Sequence, residues 1–117
     1  MEPDYTVAFT LITHAGSSRS ESMSALQAAR GGDYVGARAH LEAAEAGLRE
    51  AHHAQTELVQ QEAGGTPVPV NVILVHAQDH LTSAIVVKEL AEEIVHMYER
   101  FAPAETAAPN SSSGATI

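Results

Sequence analysis

The segment Val75-His76-Ala77-Gln78-Asp79-His80-Leu81 sets two imidazoles and a carboxylate into a stretch that is otherwise almost wholly apolar. The spacing i, i+3, i+4 brings His76, Asp79 and His80 onto about one face of a helix, where side chains can meet. Buried, each would need a partner. Neutral imidazole attacks phosphorus, and the phosphoramidate it forms passes the group onward, so His76 could act as a covalent relay. His-x-x-Asp-His also offers three ligands to a divalent metal; one helix rarely wraps a metal alone, so more would have to come from another helix, where His52 and His53 are available. If this helix instead lines a symmetry axis, Asp79 meets its own copies, and carboxylates that close need a shared proton or a hard cation such as magnesium. The plainer alternatives are a histidine satisfied by a carbonyl, an Asp79 solvated near a helix start, and a triplet that only fixes helix register in a non-catalytic oligomerisation module.

Three helical segments must position these groups, and the spacing predicts helices over about 4–30, 33–63 and 71–100. In the first, Tyr5, Phe9, Ile12, Gly16, Arg19, Met23 and Leu26 alternate by four and three, marking the expected inward stripe. Gly31-Gly32 ends it, and Asp33 can cap the next. There Tyr34, Ala37, Leu41, Ala44, Leu48, Ala51, Gln55 and Leu58 form a narrow alanine-rich seam. Gln55 brings an amide into that seam, and Gln78 is a candidate partner for it. Ala15-Gly16 suits close helix approach, with Arg19 nearby, and His14, His40 and His96 read as surface or boundary residues.

Gly64-Gly65-Thr66-Pro67-Val68-Pro69 reads as a turn between antiparallel helices, and Asn71 as the cap of the third. That helix is apolar nearly all round in its first half. Two neighbours in one hairpin cannot cover it, so self-association into a symmetric oligomer is expected. The fold class is all-α, an antiparallel three-helix bundle over residues 1–101, followed by an Ala/Pro/Ser-rich tail at 102–117 that cannot bury enough surface to order itself.

Composition narrows the function classes. Fifteen acidic against six basic residues give a formal charge of −9, which repels phosphate backbones and anionic lipid and favours a basic docking protein. The chain has no cysteine, so thiolate chemistry, disulfides and Cys-ligated zinc are excluded. No apolar run approaches the roughly 18 residues of a membrane span, and Met1 to Tyr5 lack a signal-like pattern; a cytoplasmic protein is expected.

Four blocks, in this order, resemble a known family: Ala15-Gly16 with Arg19-Ser20 and Ala25-Leu26; Gly32-Asp33 with Ala37; Glu50-Ala51-His52 with Gln55-Thr56; and, most specific, His76-Ala77-Gln78-Asp79-His80-Leu81. Over about residues 7 to 100 the chain is similar to the lactose/cellobiose-type IIA component of the bacterial sugar phosphotransferase system. The resemblance implies a cytoplasmic phosphocarrier assembled as a homotrimer, a nine-helix bundle. It implies phosphorylation of His76 by the small histidine phosphocarrier protein and delivery to a cysteine of a IIB component. A membrane IIC permease would then bring in a β-linked disaccharide of the lactose, cellobiose or chitobiose class. It further implies that Asp79 gathers around an axial Mg2+, with Gln78 and His80 packed beside the site and His52 and Gln55 supporting it. Ala77 stands where many members have Gly, and Ser18 where Ala is common; both exchanges are small for small.

Overall fold

The computed structural model describes residues 4–103, in which three α-helices follow one another: α1 (Thr6–Arg30), α2 (Tyr34–Ala63) and α3 (Val72–Arg100). No strand occurs among the described residues. The expected tail lies, from residue 104 on, outside them. The helix bounds agree with expectation to within two residues, because the local signals at each end are strong. Gly32 and Gly65 take φ of 87° and 92°, a left-handed backbone that glycine alone adopts freely. The Asp33 carboxylate accepts the Gly36 amide at 2.9 Å at the start of α2, and the Asn71 side-chain Oδ1 accepts the Leu74 amide at 2.9 Å at the start of α3. At α1 the start moves from Asp4 to Thr6, and Asp4 instead accepts the Thr6 amide at 2.9 Å.

Long-range contacts fix the hairpin directions. Ser18 on α1 donates its hydroxyl to the carbonyl of Ala44 on α2 at 2.8 Å, while Tyr34 and Arg38 at the start of α2 reach Tyr98 and Glu99 at the end of α3. Both α1/α2 and α2/α3 are therefore antiparallel, and α1 packs against both partners.

The core is built of small side chains. Among the described residues, Leu11 is the largest side chain fully excluded from solvent, followed by Ser18 and Ser22; most of the remaining interior is alanine, with Leu81 and Val95 of α3 the larger exceptions. Helices lined this way approach closely. A Cβ on Gly47 would lie 3.1 Å from the His14 carbonyl oxygen and 3.2 Å from the Ser18 Cβ. The α2 seam behaves as expected, with Ala37, Ala44 and Ala51 buried and the larger residues between them half-buried.

The α1 stripe needs correction. The buried residues are Ala8, Leu11, Ala15, Ser18, Ser22, Ala25 and Ala29, one position ahead of Phe9, Ile12, Gly16, Arg19, Met23 and Leu26. Phe9 is 55% and Met23 43% exposed, and Arg19 is also exposed. A periodicity of large apolar residues marks a real helical face, but on α1 the interior admits only alanine, serine and Leu11, so Phe9 and Met23 turn outward. Likewise Ala15 is buried while Gly16 borders open space, and Gly47 is the glycine that lets helices meet.

Replacing Gly47 by valine should force α1 and α2 apart and cost about 1–3 kcal/mol. A fall of several degrees in the thermal unfolding midpoint is the expected readout; an unchanged midpoint would mean the contact is loose.

Candidate functional site

The first two turns of α3 are fixed from beneath. Ala77 and Leu81 sit in one core cluster with Ala8, Leu11, Ala51 and Ala54, and Ile73 and Leu74 pack against it. With that face pinned, His76 and Asp79 are turned to solvent and His80 is half-buried. His76 and Asp79 therefore escape the cost of burial within this chain, since the residues beneath the triplet, not the triplet, meet α1 and α2.

His76 and His80 come together. Their Nε2 atoms are 3.0 Å apart, and the rings meet edge to face with centroids at 4.6 Å and planes at 80°. One Nε2 must carry a proton and the other accept it, so each ring restricts the orientation of its neighbour. Asp79 does not join them. It lies about 60° around the helix from His76, and no group of three or more His, Asp or Glu side chains converges among the described residues. The three-ligand site expected on this single turn is therefore not formed within one chain.

Asp79 belongs to another face. On a helix with about 100° per residue it falls within about 40° of Val72, Val86, Leu90 and Met97, all of them large apolar residues left exposed, Val72 at 84%. Asp79 has no ion-pair partner among the described residues. A single exposed carboxylate is a poor site for a hard cation, which takes six or more oxygens. Copies of Asp79 brought together through this apolar stripe would fit one better.

The other expected residues are distributed differently. Gln55 is half-buried, and its Oε1 is closed off from solvent without a hydrogen-bond partner. Gln78 lines the same cleft of about 210 Å³, with Leu58, Val59, Leu74 and Val75, yet no hydrogen bond joins the two amides. The Gln55–Gln78 link is thus not made. His52 and His53 face a separate groove of about 570 Å³ between α2 and α3, with Arg49, Lys88 and Glu45, and this groove includes none of His76, Asp79 or His80. Burial there acts to lower the Lys88 ammonium, but hydrogen bonds to Glu45 and Glu92 outweigh it and hold the group above the ordinary lysine range. The same contact with Lys88 holds the Glu45 carboxyl below its usual value. His40 pairs with Glu21 at 2.7 Å, and His96 is exposed. Sequence reasoning missed Gly47 and the buried hydroxyl of Ser18, because neither stands out in an apolar pattern.

Comparison with known proteins decides the relationship. Residues 6–99 match the family described as the PTS system lactose/cellobiose-specific IIA subunit. The chain belongs to that family. It is 47% identical over 94 residues to the lichenan-specific phosphotransferase enzyme IIA component of Bacillus subtilis, covering 80% of this chain and 86% of that one. It is 37% identical to the N,N'-diacetylchitobiose-specific EIIA component of Escherichia coli, over 80% of this chain and 81% of the relative. Among solved structures it is similar to the cellobiose-specific enzyme IIA of Bacillus anthracis, with a TM-score of 0.82 and 44% identity over 86% of this chain and 92% of that one. It also resembles the chitobiose IIA solved in complex with HPr from Escherichia coli, with a TM-score of 0.74 and 34% identity over 88% of this chain and all of that one. The matched span of residues 6–99 includes the α3 segment that carries His76, Asp79 and His80.

The Asn71 cap holds the turn that presents His76. Asn71→Ala should cost about 1 kcal/mol and raise amide hydrogen exchange over the first turn of α3, with the rest of the helix unchanged; uniform exchange along α3 would show that the cap does not act locally.

Proposed function

We propose that the chain is the IIA phosphocarrier of a sugar phosphotransferase system and that His76 carries the phosphoryl group. The observation that supports this most is the exposed His76 imidazole held at 3.0 Å by His80, on a turn braced from below by the core. The phosphorus of a phosphohistidine donor forms a bond to Nε2 of His76 while its bond to the donor nitrogen breaks, and the bonding electron pair leaves with the donor imidazole. Such transfers pass through a loose transition state, so in-line positioning and shielding from water account for most of the catalysis. His80 is the positioning residue. In the tautomer that places the shared proton on His80, its Nε2–H donates to the His76 lone pair and can turn to a phosphoryl oxygen once the group arrives.

The donor is the small histidine phosphocarrier protein, a reading supported by the solved complex of a related chitobiose IIA with HPr. A chain of net charge −9 suits a partner with a basic face. The acceptor is a cysteine of a IIB component, coupled to a membrane IIC permease for a β-linked disaccharide of the lactose, cellobiose or chitobiose class. No helix among the described residues is long and apolar enough to cross a membrane, in keeping with a carrier that works in the cytoplasm beside its permease.

The carrier works as a homotrimer of nine helices. The exposed stripe of Val72, Val86, Leu90 and Met97 is the surface that supports this, since burying it removes large apolar area from water. Packing three such stripes about an axis gathers three Asp79 carboxylates, and Mg2+ bound among them would neutralise their mutual repulsion. His76, at the edge of the stripe, then opens beside the junction of two protomers.

Incubation with phosphoenolpyruvate and the two general phosphotransferase proteins should add one acid-labile phosphoryl group per chain by intact mass. His76→Gln should abolish the addition and His80→Gln slow it at least tenfold; phosphorylation of the His76→Gln chain would overturn the assignment. Asp79→Leu should remove the cation requirement and leave the trimer intact or more stable in sedimentation, because apolar packing can replace buried like charges. Dissociation of that variant into monomers would remove Asp79 from the axis.

A further inference from the structure

We propose that His76 and His80 also form a two-imidazole chelate for a late first-row divalent metal, zinc, nickel or copper(II), and that metal bound there blocks the carrier. The blockade rests on the phosphocarrier reading above, whereas the chelate stands on geometry alone.

The two Nε2 atoms are one helical turn apart and 3.0 Å from each other. Metal–imidazole bonds are about 2.0–2.1 Å long, and two of them across that separation enclose an angle of about 91–97°. That is the cis angle of square-planar and octahedral centres, and opening it toward a tetrahedral one needs only a few tenths of an ångström between two side chains on a solvent-facing surface. No backbone movement is required. On binding, the ring that carried the shared proton on Nε2 exchanges it through solvent for one on Nδ1, so that both neutral imidazoles offer their Nε2 lone pairs to the metal with no net release of a proton.

Chemistry separates this site from the carboxylate face. Imidazole nitrogen suits zinc, copper and nickel, while Mg2+ prefers oxygen and gives up its water reluctantly. Asp79 points to another sector of α3, and no third His, Asp or Glu converges on the imidazole pair among the described residues. Water or an external ligand would complete the coordination, so binding is reversible and a strong chelator strips it. A metal on Nε2 of His76 occupies the lone pair that must attack phosphorus, so metal binding and phosphorylation exclude each other at one atom.

The test uses the full chain in Mg-free buffer, titrated with copper(II) sulfate. One copper per chain is expected, with nitrogen hyperfine structure from two imidazoles in the electron paramagnetic resonance spectrum. His76→Gln and His80→Gln should each weaken binding at least tenfold while helical circular dichroism is unchanged. His53→Gln, which removes the His53–Glu57 pair at 3.7 Å on α2, should leave binding unchanged. Copper binding that follows His53, or that shows a single imidazole in the spectrum of the unaltered chain, would overturn the chelate. Desalted copper-loaded protein should then fail to accept phosphate from a purified phosphorylated donor and recover after EDTA; acceptance at the metal-free rate would overturn the blockade. A chain that chelates copper through both rings but takes no phosphate even when metal-free would overturn the carrier reading and leave the chelate in place.

Discussion

Close approach of helices through alanine, serine and one glycine is the constraint on which the rest of this structure depends. Ala44 and Ser18 meet across α1 and α2 with a 2.8 Å hydrogen bond between them, and Gly47 leaves no room for a side chain against His14 and Ser18. An interior that narrow takes in Leu11, Leu81 and Val95 but leaves other bulky apolar residues of α1 and α3 on the outside, at Phe9, Met23, Val86, Leu90 and Met97. Small residues bury little area each. A protomer made this way has a thin core and a broad apolar exterior, and the exterior is where an assembly would gain its stability.

The same constraint decides what could be read from the sequence. Helix ends were readable because they depend on local chemistry: Gly32 and Gly65 in left-handed conformations, Asp33 and Asn71 accepting amides three residues on. The α2 seam was readable because alanine alternates there with leucine in one register. On α1 the largest apolar residues trace a continuous stripe, and hydrophobic pattern alone favours it over the neighbouring stripe of Ala, Ser and Leu11. Volume, not hydrophobicity, set the buried face, and volume matching between helices is invisible along a single chain.

The site was partly readable for a similar reason. An i, i+4 spacing puts His76 and His80 within reach on any helix, and the rings do meet. Asp79, at i+3, was grouped with them by spacing, but the three residues span about a quarter of the helix circumference, and a carboxylate on a short side chain does not cross it. Gln55 and Gln78 line one cleft without bonding, and His52 faces the groove of Lys88, because both outcomes depend on how α2 and α3 splay. Family membership rests on residues 6–99 as a whole and assigns none of these neighbours a task.

Both imidazoles rise from one helix, a single turn apart, so their separation is inherited from helical pitch and owes little to how the three helices are arranged. Repacking elsewhere in the bundle, or exchanging the surface that partners see, would leave the pair in tune. A scaffold of that kind can diversify its recognition of other proteins while the imidazole pair stays the same.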